Sequence, residues 1–190
     1  MTRNLKEHIL QTASGLFYSQ GIKATGVDTI VKAAGTTKMS LYKYFPSKDD
    51  LILAHLQKSG AEMRVLIMNA IDSRATQPKQ KLLAVFDIFE ELLITPEFRG
   101  CPFINASAEF AEEANPVQQA SAEFYDGFHK LLTDLAQQAG IANPELVSKQ
   151  LLMLIAGAIV TEQMKRQSGA MTVARQAAEK LFEVPNPDKS

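Results

Sequence analysis

Thr25–Leu51 reads TGVDTIVKAAGTTKMSLYKYFPSKDDL, and its pattern decides the fold of the N-terminal part. Val27, Ile30, Val31 and Ala34 are apolar at i, i+3, i+4 and i+7, which predicts a short amphipathic helix over Val27–Ala34. Gly35 breaks it. Thr37 is placed to cap a second short helix, Lys38–Tyr44, whose Leu41 and Phe45 share one face. Pro46 forbids continuation. Ser47-Lys48-Asp49-Asp50 resembles a capping box with Asp in place of Glu, and opens a long helix over about Ser47–Ile71. Upstream, Leu5, Ile9, Ala13 and Phe17 form an i, i+4 stripe over Leu5–Ser19, closed by Gln20-Gly21. Two short helices about a tight turn, preceded by a supporting helix, is the order that places one helix in a DNA major groove.

The chemistry of the second short helix agrees. Once Leu41 and Phe45 turn inward, Lys38, Met39, Ser40, Tyr42, Lys43 and Tyr44 remain for the outside. Phenols and ammonium groups on one exposed face suit phosphate and sugar contacts, and Met39 and Ser40 at the helix start are placed to reach base edges. Lys48, in the first turn of the fourth helix, joins the phosphate candidates. Charge is divided along the chain in the same sense. Residues 1–48 carry seven basic side chains against Glu7 and Asp28, whereas the remainder carries 13 basic against 19 acidic. A basic head on an acidic body assigns a polyanionic partner to the head, although the whole chain has a net charge of only -1.

The matched pattern ILQTASGLFYSQGIKATGVDTIVKAAGTTKMSLYKYFPSKDDL, within residues 5–51, resembles the N-terminal domain of the TetR family of bacterial transcriptional regulators. The likeness is carried by Phe17 and Gly21, Thr25 and Val27, Ala34-Gly35, Leu41-Tyr42, Tyr44-Phe45 and Ser47-Lys48. It implies a homodimer with a C-terminal bundle that binds a small effector. It also implies DNA contacts at Thr37, Lys38, Ser40, Tyr42, Tyr44 and Lys48; Thr25, Met39 and Lys43 complete the candidate set. Gly26 departs from the family, where Ser or Thr commonly caps the second helix, and Met39 stands where a small residue is common.

The rest of the chain also reads as helix: about Lys79–Thr95, Phe103–Ala114, Pro116–Ala139, Pro144–Ser168 and Met171–Phe182, with a kinked connection at Pro96–Pro102. The expected fold is all-α, an N-terminal three-helix helix-turn-helix domain plus a C-terminal helical bundle, about nine helices in all. The expected domains are residues 1–48 for DNA and 49–190 for effector binding and dimerisation, joined by helix 4 over 47–71. The tail after Val184 is expected to fray. Arg99–Phe110 resembles a stretch common in TetR-type effector domains, without indicating a ligand.

Phenylalanines concentrate in the body. Phe86, Phe89, Phe103, Phe124, Phe128 and Met153 are candidates for an apolar effector pocket, with Asn105, Glu109, Tyr125 and His129 to orient the ligand. The same side chains equally suit an ordinary core. Leu151–Val160, LLMLIAGAIV, is apolar nearly all round, and Ala156, Gly157 and Ala158 allow close helix approach. With Val173, Ala177 and Leu181 of the last helix it predicts a homodimer interface through helices 8 and 9.

The composition argues against other classes. No apolar run approaches the ~20 residues of a membrane span, and MTRNLKEHIL has no signal-like apolar region. A single cysteine, Cys101, permits no intrachain disulfide and fits the cytoplasm. Its place before a helix start would lower its thiol pKa if it were exposed. A di-metal bundle enzyme needs two Glu-x-x-His pairs; here only Asp126-x-x-His129 approaches that pattern. No metal, cofactor or catalytic residue is expected. The alternatives are a helical-bundle metal enzyme and a DNA-binding protein without effector control.

Overall fold

The computed structural model describes residues 5–183; the expected fraying after Val184 lies outside the described residues. Among these residues there are nine α-helices and no strand: α1 Leu5–Gln20, α2 Val27–Ala33, α3 Lys38–Tyr44, α4 Lys48–Arg74, α5 Pro78–Leu93, α6 Pro102–Glu109, α7 Pro116–Gln138, α8 Pro144–Met164 and α9 Ala170–Leu181. Proline occupies the first position of α5, α6, α7 and α8, where its missing N–H costs no hydrogen bond.

The helices form two compact units. The first holds the chain up to Glu62 together with Cys101–Phe124; the second holds Met63–Gly100 and the chain from Tyr125 onward. α6 and the start of α7 therefore belong with the helix-turn-helix head. In the first unit Ile9, Ala13 and Phe17 of α1 pack with Ile30 of α2, Leu41 of α3, Leu51, Ile52 and Leu56 of α4, and Phe103 and Ala106 of α6. Burial of each large apolar side chain contributes about 1.5–3 kcal/mol. This shared core fixes the angle between α2 and α3. In the second unit α9 packs on α8 and α5, with Phe86, Leu132 and Leu151 fully buried and Arg175 paired to Asp87 at 2.8 Å.

Most helix ends fall within a few residues of the apolar pattern, but α6 and α8 end well before it. α6 stops at Glu109, not Ala114: Phe110 leaves helical geometry at φ -124, ψ 68. Asn115 then starts α7, its side chain accepting from the Val117 N–H at 2.9 Å. α8 stops at Met164, not Ser168. The buried Glu162 carboxylate accepts hydrogen bonds from the backbone N–H groups of Gln167 and Ser168 and from the Ser168 hydroxyl. It thereby closes a turn whose Gln167 and Gly169 have positive φ.

Candidate nucleic-acid interface

The recognition-helix candidate α3 is positioned at both ends by local bonds. Thr37 is its N-cap, the hydroxyl accepting the Ser40 N–H at 3.2 Å. At the start of α4 the expected capping box is present. Asp50 accepts from the Ser47 N–H and hydroxyl at 3.0 and 2.6 Å, while Ser47 Oγ accepts the Asp50 N–H at 3.0 Å. Leu41 and Phe45 are buried and anchor the inner face. Outward, Met39 is 81% exposed and Tyr42 43%, large values for apolar surface. Lys38, Lys43 and Thr37 are exposed beside them. This face offers cations, hydroxyl groups and one flexible thioether, the groups that bind phosphates and base edges.

Not every candidate lies on that face. Thr25 is fully buried, and its hydroxyl donates to the Gly21 carbonyl at 2.7 Å; it closes the α1–α2 turn instead of pointing outward. Tyr44 is half-buried against the head core, because at 100° per residue it follows Leu41 by nearly a full turn. Ser40 is half-buried, its hydroxyl accepting from Thr37 at 3.1 Å. Lys48 is engaged within the chain, its ammonium donating to the Ile22 carbonyl at 2.8 Å. Lys38 is paired with Asp28 at 2.7 Å. The Asp28 hydrogen bond and charge hold the Lys38 ammonium above its ordinary pKa.

The α1–α2 turn is braced from several sides. Gly21 takes φ +91, a conformation that favours glycine. The next two N–H groups, of Ile22 and Lys23, both donate to the Glu109 carboxylate, at 2.9 and 2.6 Å. Lys23 also lies over the Phe110 ring, 5.1 Å from its centroid. Glu109, expected from sequence to orient a ligand, thus straps α6 to the turn. Beside it is a cavity of about 260 Å³ lined by Phe17, Tyr18, Ile22, His55, Asn105 and Glu109, among others. His55 lies 5.6 Å from the Phe17 ring, and burial pushes its imidazole down to about 4.

The pocket candidates divide between the two units. In the first, Phe103 and Phe124 stack at 3.7 Å with an interplanar angle of 4°, close to Gly60 of α4. In the second, Phe89 meets Phe128 at 5.8 Å and Phe86 is fully buried. His129 hydrogen-bonds through Nε2 to the buried Ser148 hydroxyl at 2.8 Å, and Ser148 meets Thr133 at 2.7 Å. Tyr125 and Met153 are exposed, Met153 at 62%. Among the described residues no three His, Cys, Asp or Glu side chains gather as a metal-ligand set. At Cys101, burial pushes the thiol up, against hydrogen bonds from the Ile104 and Phe103 N–H groups; the lowering at a helix start is expected only of an exposed thiol, and desolvation outweighs it here.

These helices have known counterparts. Residues 9–55 match the family model described as bacterial regulatory proteins, tetR family. Residues 78–178 match the tetracyclin repressor-like C-terminal domain. The chain is 25% identical over 182 residues to the HTH-type transcriptional regulator YjdC of Escherichia coli strain K12, covering 93% of each chain. It is 28% identical over 141 residues to the HTH-type regulator YxaF of Bacillus subtilis, covering 74% of each. SCO4454, a TetR-family transcriptional regulator from Streptomyces coelicolor, superposes with a TM-score of 0.88 at 30% identity, over 94% of each chain. With the second model alone spanning more than half of the sequence, the chain belongs to the TetR family and is a DNA-binding transcriptional regulator.

Proposed function

We propose that the protein is a ligand-responsive repressor that binds a palindromic operator as a homodimer and is released by a small-molecule effector. The observation that carries DNA recognition is the exposed face of α3, with Lys38, Met39, Tyr42 and Lys43 free of the head core. Thr37, Ser40 and part of Tyr44 flank it, and Lys48 completes the phosphate contacts by exchanging its carbonyl partner for DNA. Two such helices must enter successive major grooves about 34–36 Å apart, which requires a two-fold dimer.

An unpartnered apolar stripe on α8 supports the dimer. Met153, Gly157, Val160 and Met164 recur at i, i+4, i+7 and i+11 and are exposed or half-exposed, as is Val173 on α9. Apart from its own stretch of helix backbone, Gly157 faces open space among the described residues, so a partner helix has room for close approach. α8 is, among the described residues, the one helix long and apolar enough to cross a membrane, with mean hydropathy 1.3. A subunit interface accounts for the same composition in a cytoplasmic regulator.

The effector is assigned to the C-terminal bundle, among its aromatic side chains. The ligand binds the operator-competent and operator-incompetent states with different affinity, and α4 carries the displacement. Sedimentation, followed by selection of bound fragments from genomic DNA and titration of the complex with apolar metabolites, tests all three parts. A monomer that enriches no sequence overturns the operator reading. A ligand that raises thermal stability without weakening operator binding overturns the effector coupling.

A further inference from the structure

Asp28 is one of two acids among residues 1–48, and its side chain is 81% exposed. Its Oδ1 and Oδ2 lie 2.7 and 3.0 Å from Lys38 Nζ. Asp28 is the second residue of α2 and Lys38 the first of α3, so the pair spans the starts of both helices of the helix-turn-helix. A carboxylate at the edge of a phosphate-binding surface opposes binding unless its charge is compensated and its lone pairs are used.

We propose that Asp28 is a specificity-determining residue that holds Lys38 as a base reader, so that the pair recognises one G·C base pair in each operator half-site. The inference rests on the operator-binding reading. A free lysine is a mobile point charge and turns to the nearest phosphate. With part of its donor capacity directed at Asp28, Lys38 keeps one free N–H direction and a neutralised charge. The pair then presents a donor beside an acceptor. A guanine offers two adjacent acceptors, O6 and N7, and its cytosine offers the N4 amino donor; lysine to guanine and aspartate to cytosine are the matching contacts. In the same register, ammonium over the purine 6-position and carboxylate over the pyrimidine 4-position, an A·T pair sets the adenine N6 amino donor against the ammonium and thymine O4, an acceptor, against the carboxylate. An exposed ion pair is weak in water, but exclusion of water at the interface strengthens it. The lysine is also ordered in advance, which reduces the entropy lost on docking.

The test is selection from a random duplex pool with the full chain as wild type, Asp28→Ala, Lys38→Ala and the double variant, with salt titrations on the selected operator. In the wild-type motif one symmetric position should prefer G·C, and its exchange for A·T should weaken binding about tenfold. Asp28→Ala should lose that preference alone. It should also steepen the slope of log K against log[salt] by about 0.9 per protomer, as Lys38 moves to a phosphate. The double variant should be no less selective there than either single variant. Both side chains are exposed, so unchanged melting temperatures verify the fold. Retention of the G·C preference in Asp28→Ala overturns the proposal, as does a uniform tightening on all sequences, which would make Asp28 a repulsive charge only. If the wild-type protein enriches no motif, the operator reading falls with it; selective loss at one position separates the two.

Discussion

Removing the Glu109 carboxylate should loosen the α1–α2 turn by an amount the geometry sets. The carboxylate accepts the N–H of Ile22 at 2.9 Å and of Lys23 at 2.6 Å. Lys23 is exposed, so water replaces that bond. Ile22 is 4% exposed, so in Glu109→Ala its N–H is left without an acceptor, at a cost of about 1–3 kcal/mol. The expected loss is about 2 kcal/mol, or a fall in Tm of roughly 4–8 °C for a chain of this size. Glu109→Gln keeps one acceptor oxygen and should lose about half as much. Thermal unfolding gives the magnitude, and amide hydrogen exchange at Ile22 and Lys23 gives the location. If Glu109→Ala melts within 1 °C of wild type (roughly 0.3–0.5 kcal/mol) and both amides keep their protection, the strap does not exist in solution. In that case Glu109 returns to the effector candidates.

Tyr42→Ala should leave stability nearly unchanged and weaken operator binding by about 1–3 kcal/mol, whereas Leu41→Ala, at a fully buried position, should cost about 2–5 kcal/mol of folding free energy; equal destabilisation by both would place Tyr42 in the core. Gly157→Glu adds a carboxylate at the centre of the α8 stripe, so sedimentation should show a monomer of unchanged helix content; a folded dimer would move the interface elsewhere. Stability should fall as pH drops from 6.5 toward 4, because in that window the unfolded chain protonates His55 while burial keeps the folded imidazole neutral down to about 4. The fall should total about 3 kcal/mol, and His55→Gln should flatten it. Acid acts at Glu162 in a lower window. Burial pushes its carboxyl up, but hydrogen bonds from Ser168 and Gln167 and the nearby Arg166 charge outweigh it and hold the group below its ordinary 4.5. Its stabilisation is therefore present above that value and lost as pH falls through the depressed one.

The sequence by itself determined which segments are helical, the caps that open α3 and α4, and the family. Apolar spacing, Gly35, Pro46 and the Ser47–Asp50 box are local signals, because helix periodicity and terminal hydrogen bonding involve residues within about four positions of each other. α3 accordingly falls at Lys38–Tyr44, as its pattern predicts. What depended on tertiary structure was the direction of polar side chains. Thr25 resembles a phosphate contact in sequence but its hydroxyl is held by Gly21. Lys48 is held by Ile22, 26 positions away, and Glu109 by a turn 86 and 87 positions away. The Asp28–Lys38 pair requires the α2–α3 crossing angle, which the shared core of Ile30 and Leu41 sets. The aromatic side chains fall in two separate units for the same reason: composition records that they are apolar, while only the packing of α5, α6 and α7 decides which partner each ring meets. Hydrophobic burial is non-directional and legible in composition, whereas a hydrogen bond or ion pair exists only where distant backbone segments bring two atoms within about 3 Å.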